Sequence, residues 1–118
     1  MQYMMLIHAN EAGFAALPKD QVEQALGAYT AYTEALRKAG ALVDSNRLQP
    51  TAASTTVRVA DGKTQVLNGP YAETREQLGG YYLIEAPDLD AAISWAARCP
   101  GASHGTMEIR PVWAMYSA

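Results

Sequence analysis

A chain of 118 residues that is 49% hydrophobic has the size of a single domain and can bury a core. That core is modest, so a sheet with one uncovered apolar face is expected to find a partner. The formal net charge is -3, and the nine Lys and Arg are scattered apart from Arg37-Lys38; with no basic stripe, direct nucleic acid binding is not expected.

Cys99 is the only cysteine, so no intrachain disulfide can form and a reducing compartment fits. No apolar run reaches membrane-spanning length, and Met1 to Ile7 lacks the pattern of a signal peptide. The expectation is a cytoplasmic protein with no membrane partner.

Residues 2–8 read as a strand apolar on both sides, with Tyr3, Met5 and Ile7 on one and Gln2, Met4, Leu6 and His8 on the other, the pattern of a central strand covered twice. Asn10 to Gly13 supply turn chemistry, and Pro18 suits the first position of a helix, where a missing N–H is no loss. Val22, Ala25, Leu26, Tyr29, Tyr32, Thr33 and Leu36 then recur at spacings of three and four, which predicts a helix over about 19–39. Asp20 in its first turn and Arg37 and Lys38 in its last match the helix dipole, and Gly40 is placed as the C-terminal cap.

Residues 41–48 and 54–60 carry β-compatible patterns, and Asp61-Gly62 signals a two-residue hairpin returning through Thr64 to Leu67. Asn68-Gly69-Pro70 ends that strand, because proline cannot donate to a ladder. Gly79 to Glu85 reads as another strand, and Asp88 as the N-cap of a helix over roughly 88–98 that buries Leu89, Ala92, Ile93 and Ala96. Thr106 to Trp113 forms the final strand.

The order strand, helix, strands, strand, helix, strand predicts an α+β fold: a ferredoxin-like split βαβ sandwich, its antiparallel sheet carrying both helices on one face if the crossovers are right-handed. The other face stays open. A second copy of the chain is expected there, forming a homodimer with a small-molecule pocket between the two sheet faces.

From Asn68 the chain reads Asn-Gly-Pro-Tyr-Ala-Glu-Thr-Arg-Glu-Gln-Leu-Gly-Gly-Tyr-Tyr-Leu-Ile, which resembles the signature of the DGPF-domain family within the YCII-related superfamily. The likeness extends to Tyr3-Met4-Met5-Leu6-Ile7, Val57-Arg58-Val59, Asp61-Gly62-Lys63-Thr64, Asp88 to Ala92 and Gly105 to Val112. It implies a dimeric α+β barrel, similar in architecture to muconolactone isomerases and small antibiotic-biosynthesis monooxygenases. Some such relatives are associated with extracytoplasmic-function sigma factors, implying a regulatory or accessory setting. Two departures stand out: the family's leading Asp is Asn68 here and its Phe is Tyr71, and the first-helix histidine of the His/Asp pair assigned to YCII relatives has no counterpart in 19–39.

His8 ends the first strand on the open face, where an imidazole can act as acid or base; a hydrogen-bonded histidine at a strand terminus is the plainer alternative. Glu108 and Arg110 share one face of the last strand, where the arginine can hold a carboxylate ligand or simply join an ion pair. Tyr71, Glu73 and Arg75 follow a rigid Gly-Pro turn, a common setting for contacts to ligand or partner.

Gly101-Ala102-Ser103-His104-Gly105 matches Gly-x-Ser-x-Gly, but it follows a helix and precedes a strand, the reverse of a nucleophile elbow. Ser103 is therefore read as a loop residue, with His104 at the rim of the site. No Walker or Gly-x-Gly-x-x-Gly loop is present, and two isolated histidines make no metal signature, so no metal or cofactor is expected. Two functions remain open: acid/base chemistry on a small organic molecule, with His8 moving a proton and Arg110 or Arg75 orienting an anionic group, or a non-catalytic ligand-sensing or accessory module.

Overall fold

A computed structural model describes residues 1–114, in which β1 (Gln2–Ala9) is an inner strand of a four-stranded antiparallel sheet. Its neighbours are β5 (Gln77–Glu85) and β6 (Thr106–Pro111), and β2 (Leu42–Arg47) closes the other edge against β5. Without the separate hairpin of β3 (Thr55–Ala60) and β4 (Lys63–Asn68), the order β2-β5-β1-β6 is that of a ferredoxin-like sheet.

Register decides what each face carries. Met5 sits opposite Tyr82 on one side and Ile109 on the other, and Tyr3 opposite Ile84. Because side chains alternate along a strand, these residues line one face together, and α2 (Lys19–Lys38) and α3 (Leu89–Arg98) cover it. Tyr32 and Leu36 from α2 and Ala92 and Ala96 from α3 complete the core with Met5, Tyr82 and Ile84. The Tyr32 ring meets Tyr82 edge-on at 5.2 Å, and its hydroxyl donates to the Trp95 carbonyl at 2.7 Å, tying α2 to α3.

Local signals account for most boundaries. α2 ends in a Schellman arrangement: Gly40 has φ +72°, its N–H donates to the Arg37 carbonyl at 3.0 Å, and the Ala41 N–H reaches the Leu36 carbonyl at 3.0 Å. Asp88 caps α3 by accepting from the Ala91 N–H at 2.9 Å. Asp61 and Gly62 both have positive φ, as the β3–β4 turn requires.

Five expectations change, the first at the end of the chain, where β6 stops at Pro111 and does not continue to Trp113. Asn10 caps a short helix, α1 (Glu11–Ala15), where a turn was expected, its side chain accepting from the Gly13 N–H at 2.8 Å. Pro18 sits one residue earlier than expected, as the extended residue before α2. Ser103 lies in one helical turn, α4 (Gly101–His104), between α3 and β6. On α3, Leu89 and Ile93 remain about half exposed, because the sheet-facing stripe runs through Ala92, Ala96 and Cys99 and leaves those two on one flank.

The β3–β4 hairpin projects from the body. The radius of gyration is 16.3 Å, against about 13–14 Å for a compact chain of this length, and the molecule measures 47 × 45 × 18 Å. Val57, Val59, Val66 and Leu67 on the hairpin are all largely exposed. No helix among the described residues is long and apolar enough to cross a membrane.

Candidate functional site

The sheet face opposite the helices carries Gln2, Met4, Leu6 and His8 from β1 and Thr106, Glu108 and Arg110 from β6, His8 lying directly across from Thr106. His8 Nε2 is 3.0 Å from Glu108 Oε1, and Arg110 Nη2 donates to Glu108 Oε2 at 3.2 Å. Glu108 thus bridges a histidine and an arginine on an uncovered face. The His8 hydrogen bond, reinforced by Arg110, holds the Glu108 carboxyl below the usual carboxylate range.

An ionised carboxylate only accepts hydrogen bonds, so the pair assigns the shared proton to His8 Nε2. In neutral His8 the free lone pair is then on Nδ1, the atom able to take a proton from a ligand.

A wide, open hollow of about 690 Å³ adjoins His8. Its far wall is the stretch from Leu48 to Thr56, and Tyr71 and Thr74 border it. Tyr71, Glu73 and Arg75 lie on an exposed loop that braces itself: Thr74 Oγ1 donates to the Glu76 carbonyl at 2.5 Å and Gln77 Nε2 to the Thr74 carbonyl at 2.6 Å. Asn10 Nδ2 donates to the Arg75 carbonyl at 3.4 Å, and Glu76 Oε1 accepts from Thr106 Oγ1 at 2.7 Å. Of the residues singled out from the sequence, His8, Glu108 and Arg110 come together, and Tyr71 faces the same hollow as His8. Glu73 and Arg75 lie outside that hollow's wall. His104 is exposed on α4.

A second cavity of about 270 Å³ lies at the end of the sheet beneath α1 and α2. Ile7, Phe14, Leu26 and Tyr82 give it an apolar wall, with Tyr29 and Arg47 as polar features. The Arg47 guanidinium stands 5.4 Å from the Phe14 ring centroid. Burial pushes the Tyr29 phenol up to about 12, so at neutral pH it is a protonated donor. Reading the sequence alone misses this cavity, since it exists only because α1 packs Phe14 over Arg47, and neither residue stands in a motif.

The antiparallel α+β sandwich and its sheet order define a ferredoxin-like protein. The chain belongs to the family of YCII-related domains, whose match spans residues 1–116. It is 38% identical over 114 residues to an uncharacterised protein of Rhizobium meliloti (strain 1021), across 95% of this chain and 92% of that one. Its fold is similar to that of 5-chloro-2-hydroxyhydroquinone dehydrochlorinase from Burkholderia phenoliruptrix AC1100, solved in complex with 2,5-dihydroxybenzoquinone. That similarity has a TM-score of 0.56 at 12% identity over 96% of this chain and 94% of the other.

Proposed function

We propose that this YCII-related protein works as a homodimer that binds a small organic molecule between the open sheet faces of two copies and moves a proton on it through His8. The observation that carries this reading is the 3.0 Å contact between His8 Nε2 and Glu108 Oε1 beside an open hollow. It leaves Nδ1 as the working base and gives the imidazolium formed after proton uptake a carboxylate partner. Arg110, held beside Glu108, orients an anionic group, and Tyr71 forms part of the rim.

Dimerisation is supported by the exposed valines of the hairpin and by the helix-free sheet face, surfaces that gain from a partner. The dehydrochlorinase of the same fold binds an oxygenated six-membered ring, which suggests hydroxylated quinones and related enolisable compounds as the first class to try.

The test is deuterium exchange or turnover of such a panel, followed by NMR, for the native protein and His8→Ala. Native protein should catalyse exchange, and His8→Ala should lose it while keeping its fold and oligomeric state. Activity undiminished in His8→Ala removes His8 from the mechanism. A second reading, recognition without chemistry, is favoured by the 81% exposure of Tyr71 on the loop 71–75; tight binding of a panel member with no exchange by native protein would select it.

A further inference from the structure

The geometry points to a second ligand site, independent of the one on the open face: the cavity beneath α1 and α2 takes a small planar organic anion, its ring among Phe14, Leu26 and Tyr29 and its charged end on Arg47.

Size and lining set the ligand class. At about 270 Å³ the space is far larger than the packing voids of a protein interior and suits a single substituted ring. The wall is mainly apolar, which favours a ring over a sugar or a polyol.

Charge sets the rest. Arg47 is the one basic residue lining the cavity, and among the described residues no carboxylate lies within ion-pair distance of it. Glu11 also lines the cavity, but its two carboxylate oxygens accept from the Thr51 N–H and hydroxyl, each at 2.8 Å. The guanidinium is therefore left with unused donors beside an aromatic ring, an arrangement that receives a carboxylate, phenolate or enolate. Tyr29 adds a neutral hydroxyl donor on the same wall.

Register fixes the side on which the ligand sits. Arg47 pairs with Gly80 and Ser45 with Tyr82, so Arg47 is on the helix-covered side of the sheet, across from His8. Leu48 and Gln77 border both hollows, and the Glu11–Thr51 hydrogen bonds cross the wall between them, but Arg47 and His8 stand on opposite sides of it.

The probes are benzoate and its neutral counterpart benzamide, titrated into the native protein, Arg47→Gln and Arg47→Lys and followed by residue-resolved NMR. Benzoate should shift signals of Phe14, Ala15 and Tyr29. Arg47→Gln should weaken it about tenfold or more, the loss of a charge-assisted hydrogen bond, whereas Arg47→Lys should keep part of the affinity. Benzamide should bind more weakly and ignore the loss of charge. Should Arg47→Gln fail to fold, the preference for benzoate over benzamide in native protein and in Arg47→Lys still decides.

No benzoate binding up to its solubility, equal affinity in Arg47→Gln, or shifts confined to His8 and Glu108 would each overturn the site. His8→Ala should bind benzoate as the native protein does, so failure of the catalytic reading and failure of this one give different results.

Discussion

His8 on β1 and Glu108 on β6, 100 residues apart in the chain, meet at 3.0 Å, and that contact is the largest reason the Glu108 carboxyl stays ionised to lower pH than usual. A carboxyl whose folded value is depressed adds stability that is full above the ordinary carboxylate range and is lost as pH falls through the folded value. His8→Ala should therefore move the Glu108 titration, read from its side-chain carbon shift in an NMR pH series, back toward the ordinary range. Arg110→Ala should move it less. An unchanged Glu108 midpoint in His8→Ala would mean that the pair does not form in solution.

The hairpin predicts the oligomeric state. Val57 and Val66 face each other across β3–β4, each about 60% exposed, and a two-stranded hairpin has little stability of its own. Exposed substitutions change folding stability by about 0.5 kcal/mol or less, so Val57→Glu with Val66→Glu should leave the folded chain intact. Sedimentation should show a dimer for the native protein and a monomer for the double variant. A native monomer, or a dimer indifferent to the two charges, would remove the hairpin from the interface.

Much of the architecture was legible because local chemistry and strand parity agree. Asp61-Gly62, Asp88 and Gly40 each mark an end by a mechanism that acts within a few residues, and the alternation in β1 and β6 put His8, Glu108 and Arg110 on one face. The His8–Glu108 hydrogen bond was not legible, since it depends on β6 lying next to β1. α1 was missed because an Asn followed by Gly three residues later serves a turn and a helix cap alike. Leu89 and Ile93 belong to an apolar periodicity wider than the stripe the sheet covers. The cavity at Arg47 depends on contacts between distant segments and has no local mark at all.

High pH should loosen the core. Burial raises the Tyr29 phenol to about 12 and pushes Tyr32 and Tyr82 up as well, from an ordinary value of 10.0. These groups hold their protons more tightly folded than unfolded, so stability is full below the unfolded value and falls as pH rises from 10.0 toward about 12. Urea midpoints should drop across that window, and tyrosinate absorbance should show three phenols ionising late or only on unfolding. All phenols titrating together at the free-tyrosine value in the folded protein would contradict the packing described for α2. Tyr32→Phe should remove one late phenol and cost about 1 kcal/mol, through loss of the hydrogen bond to the Trp95 carbonyl.

Gly105 ties the α4–β6 turn to the proposed catalytic residue by close approach. Its φ of -157° is open to any residue, but a Cβ built there would lie 2.1 Å from the His8 carbonyl oxygen and 3.1 Å from Ala9 Cβ. Both neighbours are fixed by β1, so an added methyl must push β6 away from β1 just where His8 pairs with Thr106. Gly105→Ala should cost about 1–3 kcal/mol in urea unfolding, shift the His8 and Thr106 amide signals and lower any activity that depends on the His8–Glu108 geometry. Gly27 provides the contrast: it lies within α2, and a methyl added there would meet nothing inside 4 Å, so Gly27→Ala should stabilise by about 0.5–1 kcal/mol and leave His8 alone. If Gly105→Ala proves as stable as the native chain with the His8 signals unmoved, β1 and β6 are not held as closely at this end as the structure has them, and the geometry assigned to the His8–Glu108 pair loses its support.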